Sequence, residues 1–172
     1  MTAITDPDQI ARYRTLVAEM VEDRVQFKTS WLQRKRWSVV PVESGMHFTR
    51  DDLTAIVRGL REAGSQKCFA LASEDLDPLP VCYELSINKD DFEEFECTCG
   101  LFWFLITDEV LSWAISCNNV YNLLGGAPQL IERILNKSIK TAREEFVVFA
   151  RELAHGNPDY PPLRIAKHYA GI

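Results

Sequence analysis

Several features are scarce in this chain, and each scarcity removes a class of function. The longest unbroken apolar run is the six residues Leu101 to Ile106, far short of the roughly 20 that a membrane-spanning helix needs. The first residues, MTAITDPDQIARYRTL, lack the basic start and apolar core of a secretory signal. A soluble, cytoplasmic protein is therefore expected. Cationic excess is absent as well: 19 Lys and Arg stand against 25 Asp and Glu, a net charge of −6 with pI near 5.1. General nucleic-acid binding needs clustered cations to displace phosphate counterions, so it is not expected.

Groups that do chemistry are few. There are three His, at 47, 155 and 168, and five Cys, at 68, 82, 97, 99 and 117. Five is an odd number and the spacing is scattered, which argues against a disulfide framework. Cys97-Thr98-Cys99 is the one close pair, yet a structural zinc site needs four ligands, and thioredoxin-type redox motifs place two residues between the thiols. Buried or half-buried thiols are the better reading. Nucleophilic catalysis needs Cys or Ser beside an oriented His; His47 near Cys117 is the nearest thing to that, and no motif supports it. Gly125-Gly126 precedes a helix, but without a Walker lysine or GxGxxG it reads as a turn rather than a phosphate cradle. No metal and no cofactor is expected.

What is present is an architecture. At 172 residues and 47% hydrophobic, the chain suits one domain with one sizeable core. Asp6-Pro7 opens a first helix, with a cap and a proline at its first position. Its far end carries Arg34-Lys35-Arg36 between Trp31 and Trp37, cations that complement a helix C-terminus better than they mark a nucleic-acid grip. Ser38 to Val42 reads as a short strand. Thr49 and Asp52 start a second helix, which Gly64 ends. Lys67 to Ser73 and Val81 to Ile87 read as strands, and Asn88 with Asp91 starts a short third helix closed by Gly100.

Leu101 to Thr107, Leu111 to Cys117 and Val120 to Leu124 then form a meander with tight turns at Asp108-Glu109 and Asn118-Asn119. Even-length turns place Phe102, Phe104, Ile106, Leu111, Trp113, Ile115, Val120 and Leu124 on one face. Leu101, Trp103, Leu105, Ala114, Ser116, Tyr121 and Leu123 then share the other. Pro128 and Ser138 each open a further helix. The fold class expected is α+β: a single domain over 1–156 with a largely antiparallel sheet of about five strands, a central meander and helices on one face. Residues 157–172, with Pro158, Pro161 and Pro162, are expected to form an extended tail.

Charge is distributed unevenly. Residues 74–109 hold eleven acidic groups and one basic group. Glu74, Asp75 and Asp77 lie at one end of the strand Val81 to Ile87; Asp90, Asp91, Glu93, Glu94 and Glu96 follow its other end on what reads as the exposed face of the third helix. First-turn carboxylates have a structural reason in the helix dipole, but five on about two turns exceed it. A solvated acidic face is the plain explanation; a landing site for a basic protein is the functional one.

A small acidic α+β chain with this carboxylate-rich middle and no catalytic set resembles bacterial immunity proteins, which neutralise toxins. The resemblance implies a non-catalytic protein that occludes a basic toxin stoichiometrically; separately, a monomer or homodimer is expected. Carboxylates from Glu74 to Glu96 would engage the partner's Lys and Arg, with Trp103 or Tyr121 as an aromatic anchor. The alternative reading is a ligand-binding or enzymatic pocket at the meander, lined by Trp103, Ser112, Ser116 and Tyr121. Another is a structural subunit that homodimerises through the second sheet face.

Overall fold

A computed structural model describes residues 1–23, 25–43, 48, 50–74, 76 and 79–170, with the backbone alone considered for Arg50 and Ala170. Its centre is a seven-stranded sheet in the order β1-β6-β5-β7-β8-β9-β4, antiparallel at every step. The strands are β1 (Thr2–Ala3), β4 (Ser38–Glu43), β5 (Lys67–Ala72), β6 (Cys82–Ser86), β7 (Phe104–Thr107), β8 (Trp113–Cys117) and β9 (Tyr121–Gly126). A small ribbon, β2 (Val21–Glu22) with β3 (Gln26–Phe27), stands apart. The sheet thus has seven strands rather than about five. All six apolar segments read as strands join it, and Thr2–Ala3, too short to carry a pattern, adds an edge.

Helices lie on both faces, not on one. The helices are α1 (Pro7–Met20), α2 (Thr29–Lys35), α3 (Arg50–Glu62), α4 (Lys89–Cys99), α5 (Pro128–Leu135), α6 (Ile139–Ala154) and α7 (Pro161–Ala170). One core joins Ala70, Leu85, Phe104, Ile106, Trp113, Ile115 and Leu124 to α3, α4 and α5. The other joins Phe69, Leu71, Leu105, Ala114, Tyr121 and Leu123 to α1, α6 and α7. Alternate residues of the central strands are apolar on both sides, so each face must be covered.

Local signals behave as their chemistry requires. Asp6 accepts the Asp8 N–H to start α1, Asn88 accepts the Asp91 N–H to start α4, and Ser138 accepts the Thr141 N–H to start α6. Thr49, the cap expected for α3, lies outside the described residues. Gly64 takes φ of +89° beyond α3, the left-handed position where glycine avoids a Cβ clash. In α2, Arg34 and Lys35 sit over the Trp31 ring at 4.7 and 5.1 Å from its centroid, and Arg34 also lies 3.5 Å from Glu19 of α1, so two of the three cations are engaged within the protein.

Three expectations are corrected. Residues 161–170 form α7 instead of an extended tail: Pro161 and Pro162 occupy the first turn, where a missing N–H costs no intrahelical bond. Gly125 and Gly126 belong to β9, paired with Val39 and Ser38 on one side and with Ala114 and Trp113 on the other, so they are not a turn. Leu111 and Val120 pack with the α1–α6–α7 core, opposite to the face expected for them. The connection after Thr107 is longer than two residues and puts Leu111 at φ of +52°, which releases it from strand parity.

Candidate functional site

The registers place Ala72, Phe104, Cys117, Asn122 and Val42 in one row across the sheet, with Cys82 one residue inward of it opposite Leu71. That row marks one end of the sheet, and Glu74, Trp103 and Glu43 lie just beyond it. Lys67, Ser86, Thr107, Ala114, Gly125 and Val39 lie toward the opposite end. The carboxylates grouped in sequence are therefore separated in space. Glu74 lies two residues past the end of β5, at the sheet end where β6 begins, and Asp90 and Asp91 follow the last residue of β6; five extended residues span about 17 Å. The helix α4 then returns toward the first end, so its acidic groups make a stripe rather than one cluster.

Most of that stripe is engaged within the molecule. Asp91 accepts the Ser86 N–H at 2.7 Å and lies 3.4 Å from the N-terminal ammonium. Burial alone would push its carboxyl up, but these donors and the Asn88 side chain outweigh it and hold the group below the usual range. Glu94 binds the same ammonium at 2.6 Å, and Glu93 is 3.5 Å from Lys89. Glu96 is not on the exposed face: it is 9% exposed and accepts the Phe48 N–H at 2.9 Å, tying α4 to the start of α3. Asp90 is exposed, and Glu74 accepts the Trp103 N–H at 3.2 Å. Asp75 and Asp77 lie outside the described residues.

The two aromatic candidates have different fates. Trp103 is 36% exposed and Leu101, two residues earlier, is 58% exposed, both in the short link from α4 to β7. The other three Trp are buried or half-buried. Tyr121 is 9% exposed and packs edge-on against Phe146 of α6, 6.0 Å between centroids, so it is core and unavailable as an anchor. Its face of the sheet is covered, which the strand pattern could not decide.

Thiol and imidazole chemistry finds no assembly among the described residues. Cys97 is exposed and Cys99 is buried, because residues two apart on a helix face opposite sides. Burial pushes the thiols of Cys68, Cys82, Cys99 and Cys117 up, keeping them protonated. His155 is the left-handed C-cap of α6 and His168 lies edge-on to Tyr169 on α7. His47, and with it the encounter considered with Cys117, lies outside the described residues. Among the described residues no three His, Cys, Asp or Glu groups converge as a metal site would require.

The sheet edge at β4 holds a cavity that sequence reasoning missed. It measures about 410 Å³ and is walled by Val42 of β4, Ile56 of α3, Leu124 of β9, Ile134 of α5 and Ala142 and Phe146 of α6. Glu43, Asp52, Lys137 and Glu145 also line it. None of Trp103, Ser112, Ser116 and Tyr121, the lining expected for a pocket at the meander, takes part. The available signal was the apolar stripe of α6, whose Ala142 reaches one core while Phe146 and Ala150 reach the other. A helix that serves both cores must straddle the sheet edge.

No family model, curated protein or solved structure matches the chain.

Proposed function

We infer that this is a non-catalytic binding protein that occludes a basic protein partner, in the manner of the immunity-type proteins its composition resembles. The observation that carries the reading is the exposed pair Leu101 and Trp103 beside Glu74, in a chain whose other Trp side chains are turned inward. Aromatic side chains bounded by charge are frequent anchors of protein interfaces. Here the apolar pair supplies contact area, while Glu74 and Asp90 supply the field that draws a cationic surface and weakens with added salt, Glu93 being engaged by Lys89. Asp91 and Glu94 contribute negative potential but are already engaged by an ammonium group, and Glu96 and Tyr121 no longer belong to the surface.

Site-specific photocrosslinking tests the reading. A photoreactive phenylalanine analogue placed at position 103 is expected to capture one basic protein in the source cell. The same group at Val110 or Val148, exposed apolar positions elsewhere, is expected to capture none. Purified, that partner should associate more slowly as salt is raised, and Trp103→Ala should weaken it by about 2 kcal/mol or more, the scale of an interface anchor. Equal capture from all three positions, or association indifferent to salt, refutes it.

A further inference from the structure

We propose that the cavity at the β4 edge is a binding site for a small apolar molecule carrying one ammonium group. Its volume of about 410 Å³ falls within the size range of small-molecule sites. The wall from Val42, Ile56, Leu124, Ile134, Ala142 and Phe146 is aliphatic and aromatic and comes from five different elements.

Two features of the edge direct the choice of occupant. Arg143 donates to the Val39 carbonyl through Nε at 3.0 Å and Nη2 at 2.7 Å, so this carbonyl, which faces away from β9, is already taken. Pro41 has the same parity in β4 and offers no N–H in that direction. An added β-strand would find neither the acceptor nor the donor it needs. A compact ligand, bound by its apolar body, meets no such obstacle.

The charge of its head group follows from the ionised lining. Lys137 is held by Glu145 at 2.7 Å, which leaves that cation engaged. Glu43 makes no ion pair among the described residues, whereas Asp52, also in the lining, is engaged within the protein, so the head group is assigned on Glu43 alone. A carboxylate ligand would meet like charge there, whereas an ammonium meets Glu43. Residues 44–47, which join Glu43 to Phe48, lie outside the described residues and contribute nothing to the assignment.

The test uses the full chain, with octylammonium, 1-octanol and octanoate as probes of one tail and three heads, each below its aggregation concentration. Amide NMR titration is expected to show saturable shifts at Leu124, Ala142 and Phe146 with octylammonium. Octanol should bind about fivefold more weakly, the value of one partly exposed ion pair, and octanoate more weakly still. Glu43→Gln should bring octylammonium down to the octanol affinity without changing octanol. Ala55→Leu, intruding from a half-buried position of the wall, should weaken both while the spectrum stays that of the folded chain. Octanoate binding as well as octylammonium, an unchanged preference in Glu43→Gln, shifts confined to other parts of the fold, or no saturable shift with any probe overturns the proposal.

Discussion

Replacing Gly59 by Ala sets two physical effects against each other, and the sign of the result decides between them. Gly59 lies inside α3, where an alanine is ordinarily favoured by about 0.5–1 kcal/mol because it loses less backbone entropy on folding. Here the helix faces α5 at close range: a Cβ added at Gly59 would stand 2.6 Å from Ile134 Cγ1, 3.0 Å from Ile134 Cα and 3.2 Å from Ile134 N. A side-chain tip can rotate away, but crowding against the Ile134 backbone can be relieved only by parting the two helices. Overpacking of this kind costs roughly 1–3 kcal/mol and sometimes more. Since α3 and α5 both pack on the same core and both wall the β4-edge cavity, the strain is not absorbed locally. The net expectation for Gly59→Ala is a loss of about 1 kcal/mol, which for a chain of this length lowers Tm by about 2–4 °C. Urea denaturation followed by tryptophan fluorescence, with the m-value checked for constancy, measures it. In an Ile134→Ala background, which itself loses about 2–5 kcal/mol by core truncation, the further loss from Gly59→Ala should shrink without vanishing, because the main chain at position 134 stays where it is. A Gly59→Ala protein as stable as the parent, or more so, refutes the close approach of these helices.

The remaining predictions concern named polar groups. Glu96→Leu leaves the buried Phe48 N–H without this acceptor, so a loss of about 2 kcal/mol is expected, together with faster hydrogen exchange at Phe48; unchanged exchange there would sink the assignment. Asp91 has its folded pKa below the unfolded value, so its contribution is complete above the unfolded value and is lost as pH falls through the folded one. Asp91→Asn should therefore flatten the acid limb of stability against pH, and an acid limb as steep as the parent's would contradict it. Tyr169 accepts the Phe27 N–H at 3.3 Å, and burial pushes its phenol up to about 12. The folded state then holds its proton longer than the unfolded chain, so stability falls as pH rises from the ordinary phenol value of about 10 toward 12. Tyr169→Phe should cost about 1 kcal/mol near neutral pH yet weaken the alkaline decline; denaturation series at both pH values check the pair of effects.

Legibility in the sequence followed the range of the interaction. The starts of α1, α4, α5 and α6 were readable because a cap or a first-turn proline acts within three residues of itself. The faces of β7, β8 and β9 were mostly readable because period-two alternation is local: Phe104, Ile106, Trp113, Ile115 and Leu124 share the core expected for them. Leu111 escaped because a backbone at φ of +52° is set by its loop rather than by alternation. The C-terminal helix α7 is hard to read in the sequence because proline breaks a helix interior but is compatible with a first turn, and the two cases look alike locally. Among the surface candidates, Glu96 lies four residues after Phe92 and three before Cys99, so helical period already sets it on the buried stripe of α4; what the period does not supply is its partner, the Phe48 N–H. Trp103 and Tyr121 looked alike as large groups on one face. One lies ahead of β7, while the other is roofed by Phe146, distant in the chain.

By itself, the sequence determined the class of the fold: alternating strands, capped helices and an acidic middle, each written in residues close enough to act on one another directly. The tertiary structure decided the order of the seven strands, the covering of both faces and the cavity at the β4 edge. Each of these depends on burying apolar surface between segments far apart in the chain. Such pairings are selected by the total area removed from water and by fit between whole elements, quantities that no local stretch contains. The same rule divides the acidic run, where adjacency in sequence placed Glu74 and Asp90 at opposite ends of one strand.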